Sequence, residues 1–163
     1  MMEIIKTVVI DRTADEAWYI IAEEFDQAYK WMSFVHHSHK VDSSDTVDGA
    51  PVAGRVCEFT DNPDGLKAIE KILSYSPEKK QFVFDVVPVN APRIFPVHKN
   101  IVTMSVTALG NDKAEVSWTS NIELTAFGYV LYPFLKFGLS KQFGQVLADL
   151  QAYTNKTPAA AAA

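Results

Sequence analysis

A chain with one cysteine cannot close an internal disulfide, and Cys57 stands alone among these 163 residues. The expected compartment is the reducing cytoplasm, where free thiols persist. Basic charge is also short, with 15 Lys and Arg against 20 Asp and Glu, a formal net charge of -5. Nucleic acid is thereby excluded as the expected partner, because phosphate binding needs a basic stripe and these lysines are scattered. Long apolar runs are missing too. The most apolar stretch, Phe127 to Leu139, is interrupted by Pro133 and Lys136 and falls short of the roughly 20 residues that cross a bilayer, so no integral membrane association is expected. The start, Met1 to Arg12, has Glu3 and strand-like alternation where a secretory signal needs a basic and then continuously apolar stretch. No flexible linker and no internal repeat divides the chain. Residues 1–155 are therefore expected to form one domain, with 156–163, ending in Ala159 to Ala163, as a tail. Both monomer and homodimer are compatible with this composition.

What is present is an ordered change of periodicity. Ile4 to Ile10 reads as a first strand rich in β-branched residues, and Thr13 with Glu16 forms a capping box that starts a helix at Ala14. Ala17, Trp18, Ile21 and Phe25 share one face of that helix, and a second short helix, Asp26 to Phe34, follows. Alternating strands come next: from His36, then Arg55 to Asp61, Leu66 to Tyr75, Gln81 to Val87, His98 to Leu109 and Lys113 to Leu124. The turns between them are Asn62 to Gly65, Ser76 to Lys79 and Gly110-Asn111. Three prolines between Pro88 and Pro96 lack a ladder donor and predict a loop. One long helix, Thr125 to Tyr153, closes the chain and is expected to bend near Pro133. That order describes an α+β sheet wrapped around a terminal helix, a shape that leaves a cavity.

Gly54-Arg55-Val56-Cys57-Glu58-Phe59, then Gly65, Glu70, Leu73, Pro96 and Val116-Ser117-Trp118 resemble the polyketide cyclase/dehydrase and lipid-transport family of the SRPBCC (START-like, pollen-allergen-like) superfamily. The resemblance runs from about Ile4 to Tyr153 and rests on the order and spacing of these residues. It implies the helix-grip fold: a seven-stranded antiparallel sheet curled around a long C-terminal helix, with two short helices after the first strand. It also implies a cavity for lipids, sterols, hormones or polyketide intermediates, in which a minority of members catalyse cyclisation or dehydration. The hormone receptors of the superfamily carry a Ser-Gly-Leu-Pro-type gate loop between the third and fourth strands. Asp61-Asn62-Pro63-Asp64-Gly65-Leu66 departs from it, which argues against a receptor role.

Alternation places Ala68, Glu70 and Ile72 on one strand face and Lys67, Ile69, Lys71 and Leu73 on the other. Lysines belong in water, so Glu70 is expected inward, as the family glutamate is. There it needs a partner, with Arg93 or His98 the candidates, or a raised pKa. The competing reading is an exposed glutamate paired with a neighbouring lysine. The same alternation turns Cys57 and Phe59, Phe82, Phe84 and Val86, and Trp118 inward, as core or as cavity wall. On the next-to-last strand two registers compete: Val102, Met104 and Val106 are apolar, whereas the family register turns Ile101, Thr103 and Ser105 inward. Trp31, in the second helix, joins the expected lining. On the closing helix Phe134, Gly138 and Gln142 form the track favoured for the cavity, because Gly138 leaves room and Gln142 offers an amide; Leu135, Leu139 and Phe143 lie beside it.

Arg93 and His98 are placed by the proline-bearing loop at the expected cavity mouth. His36, His37 and His39 do not suggest a metal site, since adjacent residues of an extended segment point to opposite faces and no further ligand stands at a recognised spacing. No cofactor is expected. Two functions follow: a carrier or sensor of a small hydrophobic ligand of lipid, polyketide or isoprenoid-like type, and a cyclase or dehydratase on a polyketide-like substrate with Glu70 as acid/base.

Overall fold

The computed structural model describes residues 1–158; the Ala159 to Ala163 run read as a tail lies outside them. Seven strands form one antiparallel sheet: β1 (Met2–Ile10), β2 (His37–Lys40), β3 (Gly54–Glu58), β4 (Lys67–Ser76), β5 (Gln81–Val89), β6 (Val97–Ala108) and β7 (Ala114–Leu124). Their order is β1-β7-β6-β5-β4-β3-β2, so the first strand pairs with the last. Between β1 and β2 lie α1 (Ala14–Trp18), a π-helical turn (Tyr19–Glu23) and a 3₁₀ helix (Phe25–Lys30). The chain closes with α2 (Ala126–Val130) and α3 (Tyr132–Lys156). No helix among the described residues is long and apolar enough to cross a membrane.

The capping box at α1 forms as its sequence dictates: Glu16 N–H donates to Thr13 Oγ1 at 3.1 Å, and Thr13 N–H donates to Glu16 Oε2 at 2.9 Å. Ala17, Trp18, Ile21 and Phe25 are all buried. Trp18 and Phe25 set their ring edges against Phe82 at 5.6 and 5.7 Å, and Phe25 meets Phe84 at 5.1 Å. These aromatic pairs fill the middle of the concave face with the largest side chains of the core.

The terminal helix differs from the sequence expectation in where it breaks. Thr125 caps α2, accepting from Gly128 N–H at 3.1 Å, and Leu131 leaves helical geometry at φ -94°, ψ 8°. Helix α3 then begins at Tyr132 with Pro133 in its first turn. A proline there costs no hydrogen bond, because the first N–H groups of a helix have no internal partner. Pro133 therefore starts a helix instead of bending one. At the other end α3 runs to Lys156, past the expected Tyr153. Arg12 Nη2 donates to the carbonyls of Thr154 and Thr157, placing a cation at the negative end of the helix dipole.

Two bulges set which side chains face inward. Register shifts between Ile72 and Ser74, so β4 buries Ala68, Glu70 and Ile72 and then Tyr75. A second shift between Val97 and Lys99 extrudes His98 to solvent. The next inward residues of β6 are Asn100, Val102, Met104 and Val106, all buried. The register that would turn Ile101 inward is not the one adopted, and Ile101 stands on the opposite face from Val102. Period-two pleating without a bulge fixes the whole strand once Asn100 is in.

Asp149 on α3 fastens the helix to the segment after the 3₁₀ helix. Its Oδ2 accepts from the Ser33 N–H at 2.9 Å and from the Ser33 hydroxyl at 2.6 Å, and its Oδ1 accepts from Gln145 at 2.9 Å. Partial burial works against the charge, but these donors outweigh it and hold the carboxyl below the usual aspartate range. A carboxyl with a depressed folded pKa contributes stability above its unfolded pKa, about 3.9, and loses it as pH falls through the lower folded value. Urea unfolding should therefore show Asp149→Asn less stable than wild type at pH 7, with the gap closing towards pH 2. A gap that stays constant across that range would deny Asp149 this role.

Candidate functional site

A hollow of about 580 Å³ lies between the sheet and the first half of α3. Strand residues Ala68, Val86, Asn100 and Ile122 form its floor, and Leu139 and Phe143 of α3 form its roof. Phe34 and Phe59, stacked at 5.9 Å, close one side, and Phe95 and Val97 the other. Lys67 and Gln142 also line it. Its volume falls within the roughly 300–1,000 Å³ usual for small-molecule pockets.

Cross-strand register explains why the space is here. Val86 pairs with Asn100 and Asn100 with Ile122, a row of medium-sized side chains. Two residues along the same strands, Phe84 pairs with Val102, and the row after that holds Phe82, Met104 and Trp118. Bulk fills the sheet at those levels and leaves it hollow at the Val86 level. Phe84 and Ile72 are accordingly core residues with no measurable exposure beyond 1%. Trp31 is likewise packed into the core. Trp118 is buried and adjoins the cavity indirectly, its ring stacked on Phe143 at 5.6 Å.

Glu70 faces inward and is buried, but its partner is neither Arg93 nor His98. It is Arg55, directly opposite on β3. Nε of Arg55 donates to Glu70 Oε2 at 2.7 Å and Nη2 lies 2.6 Å from the same oxygen. Nη1 of Arg55 donates to the Phe25 carbonyl at 2.7 Å, and the guanidinium lies 4.0 Å from the centre of the Phe25 ring. The pair thus joins β3 and β4 to the 3₁₀ helix. Gly54 permits this approach of the strands, because a Cβ there would collide with the Glu70 carbonyl. Burial pushes the Glu70 carboxyl above the usual range, and Arg55 opposes that push. Burial also works against the guanidinium, which Glu70 holds protonated. Cys57, two residues along β3, has its thiol pushed up to about 12, first by burial and then by the Glu70 charge. A neutral thiol of that kind is a poor nucleophile.

Of the residues expected at the cavity, Phe59 and Gln142 line it. Cys57, Glu70, Ile72, Phe84, Trp31 and Trp118 are buried around it without forming its wall. Arg93 and His98 are exposed. Phe134 is 78% exposed, and a Cβ on Gly138 would meet nothing within 4 Å. The helix therefore turns its Leu135, Leu139, Phe143 side to the sheet, correcting the expected track; Gln142 reaches the cavity from the rim. Among the described residues no group of three His, Cys, Asp or Glu is arranged to hold a metal ion, and His37 and His39 are exposed neighbours with rings 5.9 Å apart.

One lining residue was not anticipated. Asn100 is 7% exposed, and its Nδ2 donates to Ser120 Oγ at 3.1 Å, which also accepts from Trp118 Nε1 at 2.8 Å. Asn100 Oδ1 is buried and has no partner. A polar residue in the apolar alternation of β6 is the signal that marks it in the sequence.

An antiparallel sheet gripping a C-terminal helix across an apolar hollow defines the helix-grip class. The chain belongs to the polyketide cyclase / dehydrase and lipid transport family, whose model matches residues 1–154. No curated protein sequence matches it. Among solved structures it resembles a START superfamily protein from Mycobacterium smegmatis, at 14% identity and TM-score 0.73, over 94% of this chain and 97% of that one. An uncharacterised Bacillus thuringiensis protein aligns at 18% identity and TM-score 0.73, over 95% and 100%. The di-domain ARO/CYC BexL of the BE-7585A biosynthetic pathway aligns at 15% identity and TM-score 0.75, over 95% of this chain and 47% of BexL. At these identities the likeness is one of fold.

Proposed function

We propose that the chain binds a small hydrophobic molecule of lipid, polyketide or isoprenoid-like type in the 580 Å³ hollow, as a carrier or sensor. The observation that supports this most is the chemistry of the lining. Apart from Lys67, Asn100 and Gln142, the residues around the hollow are apolar. Among the described lining residues Lys67 is the one ionisable group, so an acid/base pair of the kind cyclisation or dehydration uses has no second member there. The position of Glu70 weighs the same way: its carboxylate accepts from Arg55 and forms no part of the wall. Burial of a ligand against Phe59, Val86 and Phe143 needs apolar area and a few polar anchors, which this lining supplies.

Native mass spectrometry of protein purified without denaturation should show a bound species a few hundred daltons heavier than the apo chain, extractable into organic solvent. In parallel, the neutral fluorophore N-phenyl-1-naphthylamine should bind stoichiometrically with enhanced emission. Absence of both a retained small molecule and fluorophore uptake would remove the carrier reading.

A further inference from the structure

Asn100 stands out because burial and hydrogen bonding disagree at its amide. It lies in the cavity wall, is 7% exposed, and is flanked on adjacent strands by Val86 and Ile122, whose side chains offer no polar atom. One amide atom is engaged: Nδ2 donates to Ser120 Oγ. Trp118 Nε1 donates to the same oxygen, so an indole and a hydroxyl hold the amide in one orientation. The other amide atom, Oδ1, is buried and unpartnered, the single such side-chain atom among the described residues. Buried polar atoms without partners are rare, because losing water without a replacement bond is unfavourable. Here the unmatched acceptor belongs to a residue lining an otherwise apolar hollow.

Resting on the reading of this hollow as a ligand site, we propose that its ligand is an apolar molecule with a hydroxyl group that donates a hydrogen bond to Asn100 Oδ1. Ser120 and Trp118 act as positioning residues, fixing the amide so that the acceptor is presented without reorganisation. The ligand class is thereby narrowed from any hydrophobe to phenols, sterol-like alcohols and other hydroxylated apolar molecules. A pure hydrocarbon leaves Oδ1 unmatched, and a ketone or ester presents a second acceptor to it.

Competition against N-phenyl-1-naphthylamine tests this with 2-naphthol and 2-methylnaphthalene, which share shape and differ in the donor. Asn100→Leu keeps the branching and heavy-atom count of the side chain and removes the amide. The ratio of the two dissociation constants should move about fivefold to tenfold against 2-naphthol in the variant, the size of effect one hydrogen bond gives. The apo variant should melt no lower than wild type, because a partnerless polar group has left the interior. An unchanged ratio would overturn the proposal, and an unchanged ratio with a lowered melting temperature would assign Asn100 to the frame of the fold. Asn100→Ala provides the same comparison if the leucine variant folds poorly. If neither naphthalene binds wild type while the fluorophore does, the hydroxyl proposal fails alone. If the fluorophore fails as well, the cavity reading falls with it.

Discussion

Arg55→Met should lower the unfolding free energy by about 3–5 kcal/mol, the usual penalty for removing one partner of a buried ion pair. The guanidinium is 2% exposed and makes three short polar contacts, two to Glu70 Oε2 and one to the Phe25 carbonyl. Without it a buried carboxylate has no counter-charge and the 3₁₀ helix loses its tie to the sheet. The double variant Arg55→Met, Glu70→Leu should recover most of the loss, since apolar replacements of a buried pair are often neutral. Urea denaturation followed by tryptophan fluorescence measures both. A loss below about 1 kcal/mol for the single variant, the range of exposed pairs, would show that the pair does not join these elements.

The second large effect concerns the cavity. Ala68→Phe should weaken N-phenyl-1-naphthylamine binding at least tenfold, because position 68 is on the floor of the hollow and its side chain is buried. A phenyl group there occupies the space against Val86 and Phe59 that the probe would take. Gly138→Trp is the control, since a side chain at that position meets open space, and its uptake should match wild type. Fluorescence titration of both variants decides the matter. Loss of uptake at Gly138→Trp with retention at Ala68→Phe would put the binding site on the other side of α3.

These two expectations also show what could be read from the residues alone. The succession of elements along the chain, the capping box at Thr13 and the inward face of Glu70 were legible, because each depends on local spacing; the pairing of β1 with β7 does not. The partner of Glu70 was misread as Arg93 or His98, although the alternation that turns Cys57 and Phe59 inward turns Arg55 inward with them. What alternation does not encode is level along the strand. Phe84, Trp118 and Val86 all point inward, yet the first two fill the core and only Val86 borders the hollow. Level follows from cross-strand register, and register here depends on bulges at Leu73 and His98 that leave no mark in composition. Helix rotation was misread at Gly138 because a missing side chain suits solvent as well as a ligand. The free acceptor at Asn100 needed coordinates, since an unpartnered atom is defined by everything around it.

The strand made first is the strand paired last. Met2 lies opposite Ile122 and Ile10 opposite Ala114, so β1 leaves the ribosome long before its neighbour exists. Strands β2 to β6 can pair in sequence as they emerge, each with the one before it. Through that interval Ile4, Ile10 and the rest of β1 have neither ladder nor core, and an unpaired apolar strand is a template for another chain. Only when β7 arrives does the N-terminal segment gain a seat, and the following helix then fixes it through Gln151, whose amide donates to the Val9 carbonyl at 2.9 Å. The pace of translation therefore governs how long this molecule is exposed to mispairing, a hazard absent from the finished fold.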